Sequence, residues 1–373
     1  MEQICRLDLC TGCAACANIC SHQAIKMKTQ GTLGHFKPQI DTKLCVDCGL
    51  CAKICPQNKK LKLKHPIEAY AVWSKDRDDY LTSTSGGAAS VLSQFVLNQG
   101  GVVYGCAATK GEICHIRVSH LSDLVLLKGS KYVQSFISES CFRNIKNDLQ
   151  KGLLVLFIGT PCQVAGVKSY LLKQYENLIT VDIICHGVPS QKLFFDYLSM
   201  NGIMKNDVDR VIFRDVQGFG LSVYSVKKQI FYRRLHLNWY YVGFMRSAFY
   251  NDACYVCQYA KEERSSDITI GDFWGCGKLS LKEAHKEGLS LVMPNTTKGK
   301  ALFEQCKSKL YHELRTVEEA INGNKQLRVA SKRHFYHKFF SPIYRLTNFR
   351  LAAWMILFPD RLFYSLLYIF NKR

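Results

Sequence analysis

Acid is what this sequence is short of: 30 Asp and Glu stand against 50 Lys and Arg in 373 residues, a formal charge of +20. It also lacks an unbroken apolar run of the twenty or so residues that cross a bilayer. The nearest approach is a pair of short runs, 351–358 and 362–370, parted by Pro359, Asp360 and Arg361. No helix-turn-helix, finger or RNP pattern accompanies the positive charge, which is spread along the chain and thickest after Lys325, so nucleic acid is not expected as a partner. An anionic cofactor, an acidic protein or a membrane surface accounts for the charge as well. The start of the chain does not read as a secretory leader. With eighteen cysteines, that points to a reducing compartment, expected to be the cytoplasm, and to metal or redox chemistry rather than a disulfide framework.

The cysteines are patterned. Cys10, Cys13, Cys16 and Cys20 form one run and Cys45, Cys48, Cys51 and Cys55 a second, each reading C-x2-C-x2-C-x3-C. In this spacing three cysteines of a run wrap one 4Fe-4S cubane and the fourth reaches the other cluster. Cys10, Cys13, Cys16 and Cys55 are therefore expected to hold one cluster, and Cys45, Cys48, Cys51 and Cys20 the other. Zinc is the bland alternative, but it takes cysteines as two pairs and leaves the third of each run surplus. Pro56 follows the second run, whereas Ser21 stands after the first; proline there shapes a turn and ligates nothing. The stretch resembles a bacterial-type two-cluster ferredoxin of α+β fold, which implies one-electron traffic.

Four segments follow from composition: 1–58 with these clusters, a basic linker at 59–66 read as a solvated spacer, a core at 67–325, and a basic, aromatic helical tail at 326–373. In the core, 69–74 reads as a strand. Ser85, Gly86 and Gly87 then precede an apolar helix at 88–97; a glycine turn at a helix N-terminus can present free N–H groups to an anion, although one that merely caps the helix is the commoner case. Two strand-turn-helix units come next. The first turn is Gly159-Thr160-Pro161-Cys162 and the second Cys185-His186-Gly187-Val188-Pro189, so parallel neighbouring strands should deliver both to one sheet edge, where open α/β sheets bind ligands. Cys254 and Cys257 form a further C-x2-C pair, and a strand at 267–271 leads into Asp272. Cys162, Cys185, Cys254 and Cys257 make a third set of four, for which cluster and zinc both stay open on spacing alone. Cys5, Cys106, Cys114, Cys141, Cys276 and Cys306 are read as free thiols.

The phrases Thr84-Ser85-Gly86-Gly87, Lys131-Tyr132-Val133-Gln134-Ser135, Gly159-Thr160-Pro161-Cys162-Gln163, Cys185-His186-Gly187-Val188-Pro189-Ser190, Cys254-x2-Cys257 and Gly271-Asp272-Phe273-Trp274 occur in that order. Together they resemble the beta subunit of coenzyme F420 hydrogenase/dehydrogenase, a family that includes 7-hydroxymethyl chlorophyll a reductase. The resemblance implies an α/β flavoprotein core, a mixed or parallel sheet with flanking helices, binding FAD and one 4Fe-4S cluster. It places Ser85, Gly86, Gly87, Lys131 and Ser135 along the FAD, with Lys131 neutralising the diphosphate. It makes Cys162, Cys185, Cys254 and Cys257 the third cluster's ligands, and sets His186 and Asp272 beside the flavin as proton-handling candidates.

Three classes of function stay open. One is an iron-sulfur flavoprotein oxidoreductase that exchanges electrons with a ferredoxin-like partner and transfers a hydride equivalent to or from an organic substrate. Another is a coenzyme F420-specific subunit of a hydrogenase or dehydrogenase complex, and the third a non-enzymatic electron-wiring adapter. The fused dicluster segment favours the first, because the chain then carries its own electron entry. In the tail, the two apolar runs bracketed by Arg345, Arg350, Arg361, Lys372 and Arg373 suit either an interfacial helix pair at the inner face of a membrane or packing on the core or on a partner subunit.

Overall fold

The computed structural model describes residues 3–59, 61–215, 218–226, 228–286 and 288–370. Lys60 in the basic linker and Lys372 and Arg373 at the end of the tail lie outside them. In chain order the regular elements are α1 (Ala15–Ile19), β1 (Ile25–Gln30), β2 (His35–Ile40), α2 (Leu50–Lys53), β3 (Ala69–Ser74), α3 (Arg77–Leu81), α4 (Ala88–Asn98), β4 (Val102–Thr109), β5 (Glu112–Val118), α5 (Cys141–Gln150), β6 (Val155–Gly159), α6 (Pro161–Leu171), β7 (Leu178–Ile183), α7 (Gln191–Met200), β8 (Arg210–Asp215), β9 (Gly218–Ser225), β10 (Lys228–Arg234), α8 (Trp239–Met245), β11 (Ile268–Asp272), β12 (Ser290–Pro294), α9 (Thr297–Cys306), β13 (Leu310–Arg315), α10 (Val317–Gly323), α11 (Tyr336–Leu346) and α12 (Phe349–Phe370).

The core is a mixed eight-stranded sheet in the order β13-β3-β12-β11-β7-β6-β4-β5. Strands β4, β6, β7 and β11 pair in parallel, while β12 is antiparallel to both β11 and β3. Five strands, β3 among them, thus point the same way and share one carboxyl edge. Their sequences are near-continuous apolar runs, such as Ala69–Ser74 with all six residues buried, as a sheet covered on both faces requires. By contrast, β1 alternates buried and exposed residues and pairs only with β2 across the turn at Gly31 and Gly34.

The N-terminal segment is docked on the core rather than tethered beside it. Ile25, Met27 and Ile54 share one hydrophobic cluster with Phe142, Phe157 and Val164. Gln134 accepts from Phe36 N at 2.8 Å, Asn18 Nδ2 donates to Ser138 O at 3.0 Å, and His35 Nε2 donates to Val188 O at 3.1 Å. The linker is not only a solvated spacer: Lys64 and Arg264 exchange backbone hydrogen bonds of 2.9 and 2.8 Å.

Two stretches differ from the sequence reading. The antiparallel sheet β8-β9-β10 has no counterpart in it. The tail, expected as two short helices broken at Pro359, continues as the 22-residue α12 through that proline. The charge pair that was expected to interrupt it is taken up by the core: Arg246 Nε lies 2.6 Å from Asp360, and Arg361 stacks 4.3 Å from the Trp239 ring. Phe349, Ala352, Ala353 and Leu357 are buried in the cluster formed by β8, β9, α7 and α8. By length and composition α12 is also long and apolar enough to cross a membrane.

Candidate iron-sulfur and cofactor site

Each cysteine run closes a short loop through left-handed backbone, Gly12 and Ala14 in the first and Asp47 and Gly49 in the second. Such turns fold successive sulfurs towards one side, and the two runs lie against one another through α1 and α2. One recess is lined by Cys20, Cys45, Cys48 and Cys51. A second is lined by Cys10, Cys13, Cys16 and Cys55. The grouping is crosswise, with the fourth cysteine of each run in the other run's recess. Cys5, read as a free thiol, also lines the second recess. Cys48 is exposed, whereas Cys10, Cys16 and Cys55 are buried, so the first recess is the one nearer solvent.

The third quartet comes from three separate loops. Cys162 belongs to the first turn of α6 rather than to the turn before it, because Pro161 takes the first helical position and Thr160 with Gln163 forms a capping box. Cys185 follows β7, and Cys254 and Cys257 sit on the loop after α8, whose Asn251 donates to Cys10 O at 3.2 Å. Cys162 feels the charge of Cys257, Cys185 that of Cys162 and Cys257, and Cys254 that of all three. Burial pushes Cys162 up to about 11 and Cys185 up to about 12. Four enclosed thiols in mutual repulsion lose their protons together only against a positive centre, which suits a metal group. Among the described residues no three His, Cys, Asp or Glu close on a point in the manner of a single-ion site.

The quartets adjoin. Gly166, one turn along α6 from Cys162, abuts Cys13, and Tyr259 lies within charge range of Cys13, Cys162 and Cys257. Arg264, 2% exposed, sits behind this quartet with its guanidinium 3.2 Å from Asp182 and favours the thiolate form of Cys185 and Cys257.

The other candidate residues lie along the same carboxyl edge. Ser85, Gly86 and Gly87 follow β3, and a Cβ on Gly86 would collide with Val72 O and Ser290 N, so sheet packing already demands this glycine. Ser85 Oγ is buried without a hydrogen-bond partner among the described residues, as a group that awaits a ligand would be. Lys131 donates to the carbonyls of Cys106, Leu127 and Lys128 at 2.9–3.0 Å, and burial lowers its pKa to about 8. Its three donors brace a loop, so contact with a diphosphate requires releasing one of them. Ser135 is bonded to His115 Nδ1 at 2.7 Å.

His186 and Asp272 are brought together after β7 and at the end of β11. Gln326 Nε2 donates to His186 Nδ1 at 3.0 Å, which leaves the ring proton on Nε2. Burial lowers the His186 pKa, with Asp272 opposing the shift, so the imidazole is neutral at pH 7. The Asp272 carboxylate lies 2.8 Å from Arg214 of β8, a residue no motif had singled out. Arg214 covers the rings of Phe219 and Trp274 at 5.0 and 5.7 Å, and Tyr132 stacks on Phe244 at 4.5 Å, which makes this end of the crevice aromatic.

Residues 153–320 match the family model for the C terminus of the coenzyme F420 hydrogenase/dehydrogenase beta subunit. Residues 9–59 match the 4Fe-4S dicluster domain, so both cysteine runs fall in one matched unit and the third quartet, with His186 and Asp272, in the other. Residues 60–152, with the Ser85 turn and Lys131, fall in neither. No curated protein matches the chain. A chain of the F420-reducing NiFe hydrogenase complex from Methanosarcina barkeri is similar in structure at 17% identity and a TM-score of 0.46, over 71% of this chain and 91% of that one. Over the two matched segments the chain is similar to a 4Fe-4S dicluster domain and to the F420 hydrogenase beta subunit.

Proposed function

We propose that this chain is an oxidoreductase in which electrons pass between a ferredoxin-like partner, three 4Fe-4S clusters and FAD, to reduce, or in reverse oxidise, an organic substrate. The observation that carries the reading is the unbroken succession of cysteine quartets from an exposed thiol, Cys48, to the crevice that holds His186 and Asp272. Cys20, Cys45, Cys48 and Cys51 would hold the outer cluster and Cys10, Cys13, Cys16 and Cys55 the middle one. Cys162, Cys185, Cys254 and Cys257 would hold the inner one, whose thiolate charge Arg264 offsets. Exposed Val46 and Leu50 line the outer recess, an apolar rim at which a redox partner would dock.

A flavin in the crevice would couple the single-electron traffic of clusters to two-electron hydride chemistry. Ser85, Lys131 and the Gly86-Gly87 turn would hold its anionic end. Neutral His186 with its proton on Nε2 offers a hydrogen bond or a proton there, and Arg214 holds the Asp272 carboxylate in place. The family match favours a second reading, a coenzyme F420-specific subunit of a larger complex; a wiring adapter without substrate is the third. The outer face of α12 is read as a contact with an anionic membrane surface.

The test is anaerobic purification with metal and cofactor analysis. About twelve iron per chain and FAD released by acid are expected. About eight iron with one zinc makes the Cys162 quartet structural, FMN contradicts the FAD assignment, and absence of any flavin leaves only the adapter. Oxidation of reduced coenzyme F420 by the chain alone would favour the second reading over the first.

A further inference from the structure

We propose that Cys5 is a reserve ligand of the cluster site formed by Cys10, Cys13, Cys16 and Cys55, able to take the place of Cys55 or Cys10 on iron. The proposal rests on the cluster reading above. Cys5 is the fifth thiol on the wall of that recess, beside Cys10, Cys13, Cys16 and Cys55. The other N-terminal recess is lined by four cysteines and no fifth.

The segment that carries Cys5 is held against the recess. Asn58, three residues beyond Cys55, donates from Nδ2 to Ile4 O at 2.8 Å, Gln3 Nε2 donates to Cys5 O at 2.8 Å, and Lys37 Nζ donates to Leu7 O. Ile4 is 5% exposed and packs in the cluster that includes Ile54 and Cys55. Cys5 thus has a fixed backbone and one side chain's freedom to turn, which a substitute ligand requires.

The exchange is balanced without any outside reagent. The iron–sulfur bond to Cys55 would break as one from Cys5 Sγ forms, and the proton given up by Cys5 would pass to the freed Cys55 thiolate. The site keeps four thiolates and its charge, and no electron moves. A cluster that loses one ligand would therefore stay in place, a useful property for the middle member of a relay that cannot be bypassed.

The experiment compares anaerobically purified Cys55→Ala, Cys20→Ala and the double variant Cys5→Ala/Cys55→Ala with the parent protein, read by iron content and by EPR of the reduced clusters. Parent protein without iron overturns the cluster reading itself. With iron present in the parent, Cys55→Ala is expected to keep the parental content, while Cys20→Ala and the double variant each lose about four iron. Loss of about four iron from Cys55→Ala alone overturns the proposal. Should Cys55→Ala not fold, Cys5→Ala by itself decides: it is expected to bind full iron but to yield about a third of it to a chelator severalfold faster than the parent. Equal release rates overturn the reserve-ligand role.

Discussion

Gly166 of α6 packs directly on Cys13: a Cβ there would stand 3.0 Å from the Cys13 Cβ and 3.2 Å from its sulfur. Cys162 begins the same helix. One rigid turn of α6 therefore fixes the spacing between the middle and inner quartets. Gly166→Val forces the N-terminal segment outward at an overpacking cost of about 1–3 kcal/mol. We expect iron content to hold, while electron delivery from a ferredoxin donor slows severalfold and reduction of the inner site by a small chemical reductant is unchanged. Equal slowing of both would place the damage in the core instead.

Arg214 is the second test. Its guanidinium and Asp272 are 15% and 22% exposed, so each is largely cut off from solvent and relies on the other. Arg214→Gln leaves the carboxylate without its charge partner and removes the cation over Phe219 and Trp274, at roughly 1–3 kcal/mol or more. Bound flavin and turnover should both fall, whereas iron content should not. Flavin retained at full stoichiometry with normal turnover would remove this ion pair from the site.

What the sequence disclosed, and what it withheld, follows from how each feature is encoded. The two N-terminal runs were legible because their spacing is local: those at Cys10 and Cys45 announce themselves within a dozen residues each, whereas Cys162 and Cys257 stand 95 residues apart. The sheet edge was legible for the same reason, since apolar run, turn and helix at 155–171 and 178–200 dictate parallel neighbours. Arg214 was not, because it meets Asp272 only after β8 folds across from a separate antiparallel sheet. The role of Cys5 was hidden too, since nothing in its spacing ties it to Cys55, fifty residues on. The continuous α12 was misread because Pro359 and the Asp360-Arg361 pair look like a break; Arg246 and Trp239, distant in sequence, satisfy them.

Docking of the N-terminal segment gives stability a pH dependence through His35. Its imidazole is 5% exposed and its pKa is pushed down to about 4, chiefly by burial, while Nε2 donates to Val188 O. An unfolded histidine takes its proton near 6.5. Above that value this group has no effect on stability. As pH falls from about 6.5 towards 4 the unfolded state binds the extra proton and stability is lost. His35→Gln keeps a side-chain donor and abolishes the titration. Between pH 7.5 and 5.5 the parent should lose about 1 kcal/mol more unfolding free energy than the variant, measured anaerobically in urea. Parallel pH profiles would show that His35 titrates alike in the folded and unfolded states.

The tail is the last case, and its two faces make separate claims. Phe349, Ala352, Ala353, Leu357 and Asp360 face the core at helical spacing, so removing the tail would uncover the hydrophobic cluster and is a poor test of anything else. Leu351, Trp354, Met355, Phe358, Leu362, Phe363, Leu366, Leu367, Ile369 and Phe370 face outward and are exposed. Burying such a face in a lipid interface is worth about 25 cal/mol per Å², and each basic residue near anionic headgroups adds about 1 kcal/mol. Leu357→Ala should therefore cost about 2–5 kcal/mol of stability and leave vesicle binding in the folded fraction intact. The pair Trp354→Gln and Phe358→Gln should change stability by no more than roughly 0.5 kcal/mol for each substitution and weaken co-sedimentation with anionic vesicles. That binding should also decline, without vanishing, in high salt, because salt screens the charge contribution alone. If the outer-face variant sediments with vesicles as well as the parent does, the exposed stripe belongs to a protein partner, and the membrane reading of the tail falls.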